Sequence, residues 1–207
     1  MEPLNLEYYF SLCLFTFVAG ITPGPNNMML MTSGLNHGIR KSIPHYLGIC
    51  VGFPVMVAAI GFGMGAVFSK YPSIYLYLKI SGITYLVYLA WKIANAGSQN
   101  AAQKTKEPFT FIQAAAFQWL NPKAWAIAMG ALAAFTAKEN FTASVLTVIF
   151  VYLAMGFICM GFWLKLGQSL KIFLHTRNRV QFFNITMAVL LVMSVIPMAL
   201  TGINNVS

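Results

Sequence analysis

Six stretches of the chain, at about 8–32, 43–68, 73–95, 109–136, 141–165 and 180–203, are apolar almost throughout. Each is near or above the roughly 20 residues that a helix needs to cross a hydrocarbon core of about 30 Å. That pattern predicts an all-α integral membrane protein of six transmembrane helices. Composition agrees: 58% of the residues are hydrophobic and 8% charged, where ordinary globular chains carry about 25% charged residues. One transmembrane domain over 1–207 is the simplest organisation.

The first stretch carries an interruption. Residues 8–32 contain no charge, yet Ile21-Thr22-Pro23-Gly24-Pro25-Asn26-Asn27 lies in their middle. Pro23 and Pro25 have no amide donor, and Gly24 is a poor residue for a helix interior. Backbone groups freed in lipid are tolerated only where neighbouring protein or a water-filled cavity satisfies them. A break of this kind in a spanning helix is where transporters tend to hold their cargo. The fourth stretch repeats the feature at Gln118-Trp119-Leu120-Asn121-Pro122-Lys123, with Pro122 placed 99 residues after Pro23. Three spans per half is an odd number, so the halves, about 1–95 and 109–203 around a linker at 96–108, are expected to be inverted repeats. The expected architecture is therefore two inverted three-helix halves, with the first and fourth helices broken at Pro-Gly-Pro and Asn-Pro.

Charge sets the expected orientation. With the amino terminus outside, Arg40, Lys41, Lys92, Lys104, Lys106, Lys165, Lys171, Arg177 and Arg179 fall on the cytoplasmic side. Lys70 and at most Lys79 and Lys138 then lie outside. The positive-inside rule favours that arrangement, with both termini non-cytoplasmic. Read this way, the net charge of +9 is a topology signal, and no basic cluster is dense enough to track nucleic acid. Glu2 and Glu7 flank the first stretch, so a retained span is expected there rather than a secretory leader. Tyr8, Tyr9, Tyr71, Tyr75, Tyr77 and Trp91 fall near span ends, as interfacial aromatics do. The segment around 166–179, with Leu170, Ile172, Phe173 and Leu174 between basic residues, suits the membrane interface.

Small residues predict close packing. Gly48-x-x-x-Gly52 and Gly61-x-x-x-Gly65 line one helix face, and Gly156 and Gly161 offer a similar one. Packing within the monomer is the simpler use, and a homo-oligomer face the sharper one. Cys13, Cys50 and Cys159 lie singly in apolar runs and read as small packing residues, with neither a disulfide framework nor a thiol-exchange motif. No residue pattern points to a cofactor or a bound metal.

Taken together, Gly20-Ile21-Thr22-Pro23-Gly24-Pro25-Asn26-Asn27, then Gly34, His37-Gly38 and Arg40-Lys41 before a Gly-rich second span, resemble the lysine-exporter (LysE/RhtB) family. Leu78-Lys79-Ile80-Ser81-Gly82, with Tyr85-Leu86 and Tyr88-Leu89, is similar to that family's third span. Phe117-x-x-x-Asn121-Pro122-Lys123-Ala124 is similar to its fourth. The resemblance covers nearly the whole chain. It implies a bacterial inner-membrane exporter of amino acids or their derivatives, driven by the proton-motive force. It does not identify the cargo, though the Pro-Gly-Pro-Asn-Asn form is somewhat similar to the cysteine and O-acetylserine exporters.

The residues themselves say what such a site could hold. A half-helix starting after Pro25 offers free amides and a positive dipole end to a carboxylate. Asn26 and Asn27 can each donate and accept hydrogen bonds to cargo, or else cap the broken helix. Lys123 lies about fourteen residues into its span, too deep to snorkel with ease, and is a candidate for cargo contact or gating together with Asn121. The alternative is that a re-entrant fourth segment leaves Lys123 near cytoplasmic water. Lys79 is near enough to an outside end to snorkel or to function. The candidate site thus comprises Pro23, Gly24, Pro25, Asn26, Asn27, Lys79, Asn121, Pro122 and Lys123, with Gln113 and Gln118 as lesser candidates. His45 reads as an interface residue, and His37 and His175 as solvated.

The four acids, Glu2, Glu7, Glu107 and Glu139, all lie outside the spans, and there is no aspartate. Proton coupling therefore lacks the usual intramembrane carboxylate and would fall to a lysine or to His45. The same deficit argues against a cation exporter, since hard cations want oxygen ligands and softer ones clustered His or Cys. It also argues against an aspartyl intramembrane enzyme. An accessory membrane subunit is the remaining alternative. With no acid near either break, neutral cargo is expected over lysine- or arginine-like cargo.

Overall fold

The structure, a computed structural model, describes residues 6–64, 70, 72–95, 107–137, 139–170 and 176–200. Among these the chain forms seven α-helices: α1 (Leu6–Ile21), α2 (Pro25–Ala59), α3 (Pro72–Ala94), α4 (Phe111–Leu120), α5 (Pro122–Phe135), α6 (Phe141–Leu170) and α7 (Arg177–Leu200). A π-helical turn, Ile60–Met64, continues α2. No strand occurs among the described residues. Two helices, α2 with its π-turn and α6, are long and apolar enough on their own to cross a membrane.

Two interruptions fall where prolines remove amide donors. α1 ends at Ile21 and α2 starts at Pro25; α4 ends at Leu120 and α5 starts at Pro122. Proline at the first helical position is well placed, because that amide would have no intrahelical partner in any case. The start of α4 is set by a capping box: the Thr110 hydroxyl accepts from the Gln113 amide (3.3 Å), and the Gln113 side chain accepts from the Thr110 amide (3.1 Å). Gln113, a lesser site candidate, is thereby committed to the backbone.

A third interruption is tighter than the sequence predicts. The polar run Ser33–Ser42 reads as a connection, yet helical structure continues through it except at Gly38, where φ is 78° and ψ 171°. Glycine visits that left-handed region without a Cβ penalty, so one residue suffices to redirect the chain. Two hydrogen bonds hold the turn. The Ser33 and Ser42 hydroxyls meet at 2.7 Å, and the Ile39 amide donates to Gln168 Oε1 at 3.1 Å.

Large apolar side chains face outward, among them Phe10, Leu14 and Val18 on α1, Phe150, Ile158 and Phe162 on α6, and Phe182 and Val189 on α7. Asn27, His45, Gln118, Asn121, Ser144 and Asn184 are buried. This is the arrangement expected where the surroundings are hydrocarbon and the interior must satisfy the polar groups. One core cluster joins α1, the end of α2, α5 and α6 through Leu12, Met56, Val57, Ala128, Val145 and Val148. A second joins the start of α2, α3, α4 and α7 through Met28, Leu86, Leu89, Phe117 and Leu191.

Glycines let the backbones of different helices touch. A Cβ on Gly52 would sit 2.5 Å from Ala115 Cα, and one on Gly167 would sit 2.9 Å from Met31 Cα and collide with the Met31 carbonyl. The Gly48–Gly52 face therefore packs on α4 within the monomer. A Cβ on Gly61 would sit 2.8 Å from Val145 Cγ1, while Gly65 lies outside the described residues.

Some single-residue expectations change. Tyr8, near the start of α1, is buried in the protein, and its hydroxyl donates to the Phe135 carbonyl at 2.8 Å, tying α1 to the end of α5. His45 is 3% exposed, packed inside the protein beside Phe109 at 5.3 Å between ring centroids. His37, at the Gly38 turn, is half-buried, and that burial, with Lys41 adding to it and Glu107 opposing, pushes its imidazole below the usual range. His175, the stretch 171–174, Tyr71 and linker residues 96–106 lie outside the described residues. The backbone of Lys79 belongs to α3, but its side chain is likewise outside them.

Candidate functional site

The two helix breaks meet. Lys123, in the first turn of α5, reaches across to the end of α1, where its ammonium donates to the carbonyls of Thr22 (2.7 Å) and Pro23 (3.2 Å). These are carbonyls at the negative end of α1's dipole, a natural seat for a cation. The lysine stem lies directly over Gly24: a Cβ there would be 2.7 Å from Lys123 Cδ and 2.9 Å from Nζ. Glycine at that position is what allows the two breaks to approach. Lys123 is half-buried and held by these protein carbonyls.

Asn27 completes the end of α1. Its Nδ2 donates to the carbonyls of Gly20 (2.8 Å) and Thr22 (3.0 Å). This is the capping role weighed against cargo contact, and Asn27, 4% exposed, fills it. Asn121 caps α5, its Oδ1 accepting from the Lys123 amide at 3.1 Å. Asn26 does something the sequence did not foreshadow. Its Nδ2 donates to Gln118 Oε1 (2.8 Å) and its Oδ1 accepts from Gln118 Nε2 (3.2 Å), a reciprocal amide pair between α2 and α4. Gln118, fully buried, also donates to the Ala114 carbonyl at 2.8 Å. In sequence only its place in the same span as Lys123 marks it, as a lesser candidate.

A double-mutant cycle reads that pair out. Asn26→Ala and Gln118→Ala are each expected to destabilise the protein by about 1–3 kcal/mol, since each removes both bonds of the amide pair and leaves the partner's groups without them. The double variant should cost less than the sum by about 1 kcal/mol, as interacting partners do. Denaturation midpoints in detergent for the four proteins give the coupling.

At the start of α2 the first intrahelical bond runs from the Met28 amide to the Gly24 carbonyl (3.0 Å), and Gly24 supplies no side-chain cap. The amides of Asn26 and Asn27 therefore precede the helix's own bonding and belong to its positive end. Next to them is a cavity with about 70 Å³ open to the centre of a water molecule, several times what a single water needs. The breaks contribute Gly24, Pro25, Asn26, Asn27, Asn121 and Lys123 to its lining. The part of α2 beyond Gly38 contributes Ile49, Cys50, Phe53 and Pro54, and α6 contributes Tyr152, Met155, Gly156, Cys159 and Met160. Of the site residues expected from sequence, six thus line one cavity, whereas Pro23 and Pro122 shape the breaks without lining it. Cys50 and Cys159, read as packing residues, line it as well.

A family model described as LysE type translocator matches residues 17–200, across both breaks and the cavity. The chain belongs to the LysE type translocator family. Among its curated relatives is the cysteine/O-acetylserine efflux protein of Escherichia coli O1:K1, 30% identical over 199 residues, which cover 93% of this chain and 96% of the relative. Proteins of the same name from Escherichia coli strain K12 and from Shigella flexneri are 29% identical with the same coverage. No solved structure matches. For this LysE type translocator, the match supports an exporter.

Proposed function

We propose that this translocator is a secondary exporter of small neutral amino acids or their derivatives, working across the bacterial inner membrane by alternating access and driven by the proton-motive force. The observation that carries the reading is a cavity shared by two helix breaks that Lys123 bridges. The cargo carboxylate takes the free amides at the start of α2 and competes for the Lys123 ammonium, drawing it off the Thr22 and Pro23 carbonyls. Exchange of Lys123 between those carbonyls and a carboxylate alters the contact between the two breaks, which is what alternating access requires of a loaded carrier. The cargo ammonium finds acceptors among the asparagine side chains. Neutral side chains fit the remaining walls, where no acid is present. The names of the curated relatives add cysteine and O-acetylserine as the first cargoes to try.

We read the chain as two inverted halves, about 1–95 and 109–203. α1 with the start of α2 corresponds to α4 with α5, the rest of α2 to α6, and α3 to α7. In support, the part of α2 beyond Gly38 packs on α4 through Gly52 and Ala115, and α6 packs on α1 through Cys159 and Gly20. The six resulting spans place both termini outside the cytoplasm by the positive-inside rule. Among the described residues no three His, Cys, Asp or Glu side chains come together, so no observation favours the cation-exporter reading.

The test is release from cells expressing the chain, loaded with dipeptides that supply cysteine, serine, alanine, leucine and lysine, and separately with O-acetylserine. Faster release of one or more small neutral species than from empty-vector cells, abolished by a protonophore, is the expected result. Release indifferent to the protonophore would remove the proton coupling, and preferential release of lysine would remove the neutral cargo. If nothing leaves faster than from the control, the exporter reading fails.

A further inference from the structure

One tyrosine of the cavity wall carries a hydroxyl with nothing to bond. Tyr152 lies on α6, is 5% exposed and lines the cavity, and its Oη is fully buried with no hydrogen-bond partner. Its ring is fixed edge-on against Phe53, 4.9 Å between centroids at 81°. Buried hydroxyls are normally paired, and one that is not calls for an explanation. The other hydroxyl in the lining, Thr16, has no such need: it donates to the carbonyls of Leu12 (2.9 Å) and Cys13 (3.0 Å) in its own helix.

Building on the exporter reading, we propose that the Tyr152 hydroxyl is the hydrogen-bond partner of the cargo's side chain, and that it selects small amino acids carrying a hydroxyl, thiol or ester oxygen one atom beyond Cβ. The polar groups of the breaks supply what the α-carboxylate and α-ammonium need: free amides at the start of α2, the Lys123 ammonium and the asparagine oxygens. None of them reaches Tyr152, whose Oη has no protein partner. A cargo anchored at the breaks turns its side chain to the other walls, which include Ile49, Phe53, Pro54, Met155 and the two cysteines. Those walls are apolar or weakly polar apart from Thr16, whose hydroxyl already donates within its own helix, so the tyrosine hydroxyl, buried in the wall, is the unpaired donor left for a cargo side chain to recruit there. An apolar side chain would leave that hydroxyl unpaired, as it is in the empty protein, whereas a γ-oxygen or γ-sulfur would satisfy it. Sites that hydrogen-bond a substrate group discriminate against the analogue lacking it for this reason. Tyr152 thus acts on specificity and leaves the anchoring of the zwitterion to the breaks.

Inside-out vesicles, in which export reads as uptake, test this with two matched pairs: serine against 2-aminobutyrate, and O-acetylserine against norleucine. In the wild type the polar member of each pair should half-saturate at lower concentration. In Tyr152→Phe that advantage should fall about 10-fold, the equivalent of one lost hydrogen bond of about 1.4 kcal/mol, with the apolar members shifted less than about twofold. The thermal midpoint of the empty variant in detergent should be unchanged or higher, because a buried unpaired hydroxyl has been removed. Preserved discrimination in Tyr152→Phe overturns the assignment, with a water as the hydroxyl's partner. An equal loss for all four compounds also overturns it and makes Tyr152 structural. Uptake of none of the four by the wild type overturns it together with the exporter reading, which sets that failure apart from the other two.

Discussion

Replacing Lys123 by alanine is expected to lower export about 100-fold while the protein still reaches the membrane. Its ammonium makes two hydrogen bonds to break carbonyls, at 2.7 and 3.2 Å, and in the loaded state one of its donors serves the cargo carboxylate. A hydrogen bond to a charged group contributes about 1.5–3 kcal/mol, and about 2.8 kcal/mol corresponds to a factor of 100. Folding should suffer less than transport. The Thr22 carbonyl still receives Asn27 Nδ2 at 3.0 Å, and Pro23 is an exposed residue outside both helices. Lys123→Met, which keeps the stem over Gly24 and removes only the charge, should lose transport as completely as alanine. If the methionine variant exports normally, the stem rather than the ammonium is what the site needs, and the competition between carbonyls and carboxylate is wrong. Gly24→Ala approaches the same point from the other side, because its Cβ would displace Lys123 without altering any polar group.

The breaks were legible because proline carries a chemical signature that survives any packing: no amide, hence no helix bond at that position. Lys123 stands out in the sequence for a similar reason, since a charge within an apolar stretch is costly in hydrocarbon wherever it points. What Lys123 touches was not, because its partners, the carbonyls of Thr22 and Pro23, are backbone groups about a hundred positions away, and every residue has a carbonyl. Asn26 and Asn27 look equivalent in sequence, yet a rotation of about 100° along a helix sends one to Gln118 and the other back to α1. Tyr152 left no trace at all. A tyrosine among Phe150, Val151 and Leu153 reads as a packing aromatic, and only the missing partner of its hydroxyl distinguishes it. Ser33–Ser42 misled in the other direction: its polarity read as a loop, but the hydroxyls of Ser33 and Ser42 bond to each other, and the turn needed only Gly38.

Gly167→Ala is expected to do the largest damage to the fold. The start of α2 and the end of α6 cross with their backbones in contact. A Cβ on Gly167 would collide with the Met31 carbonyl and lie 2.8 Å from Met31 C, and one on Gly34 would collide with the Leu164 carbonyl. Nothing flexible lines that crossing at Gly167: all three nearest atoms are backbone, so relief requires the helices to part. Overpacking costs about 1–3 kcal/mol, occasionally more, and here the upper end applies. Parting the helices would also remove Gln168 from the Ile39 amide it now caps at 3.1 Å, loosening the Gly38 turn that aims α2 at the cavity. The variant should accumulate poorly and elute as aggregate on gel filtration in detergent. Gly130→Ala is the matched control, since its Cβ would meet nothing nearer than Phe15 Cζ at 4.0 Å, and alanine favours the helix by about 1 kcal/mol over glycine. A stable, monodisperse Gly167→Ala protein would mean that α2 and α6 do not touch there. Because the start of α2 carries Asn26 and Asn27 and α6 carries Tyr152, the cavity built between them would then need a different geometry.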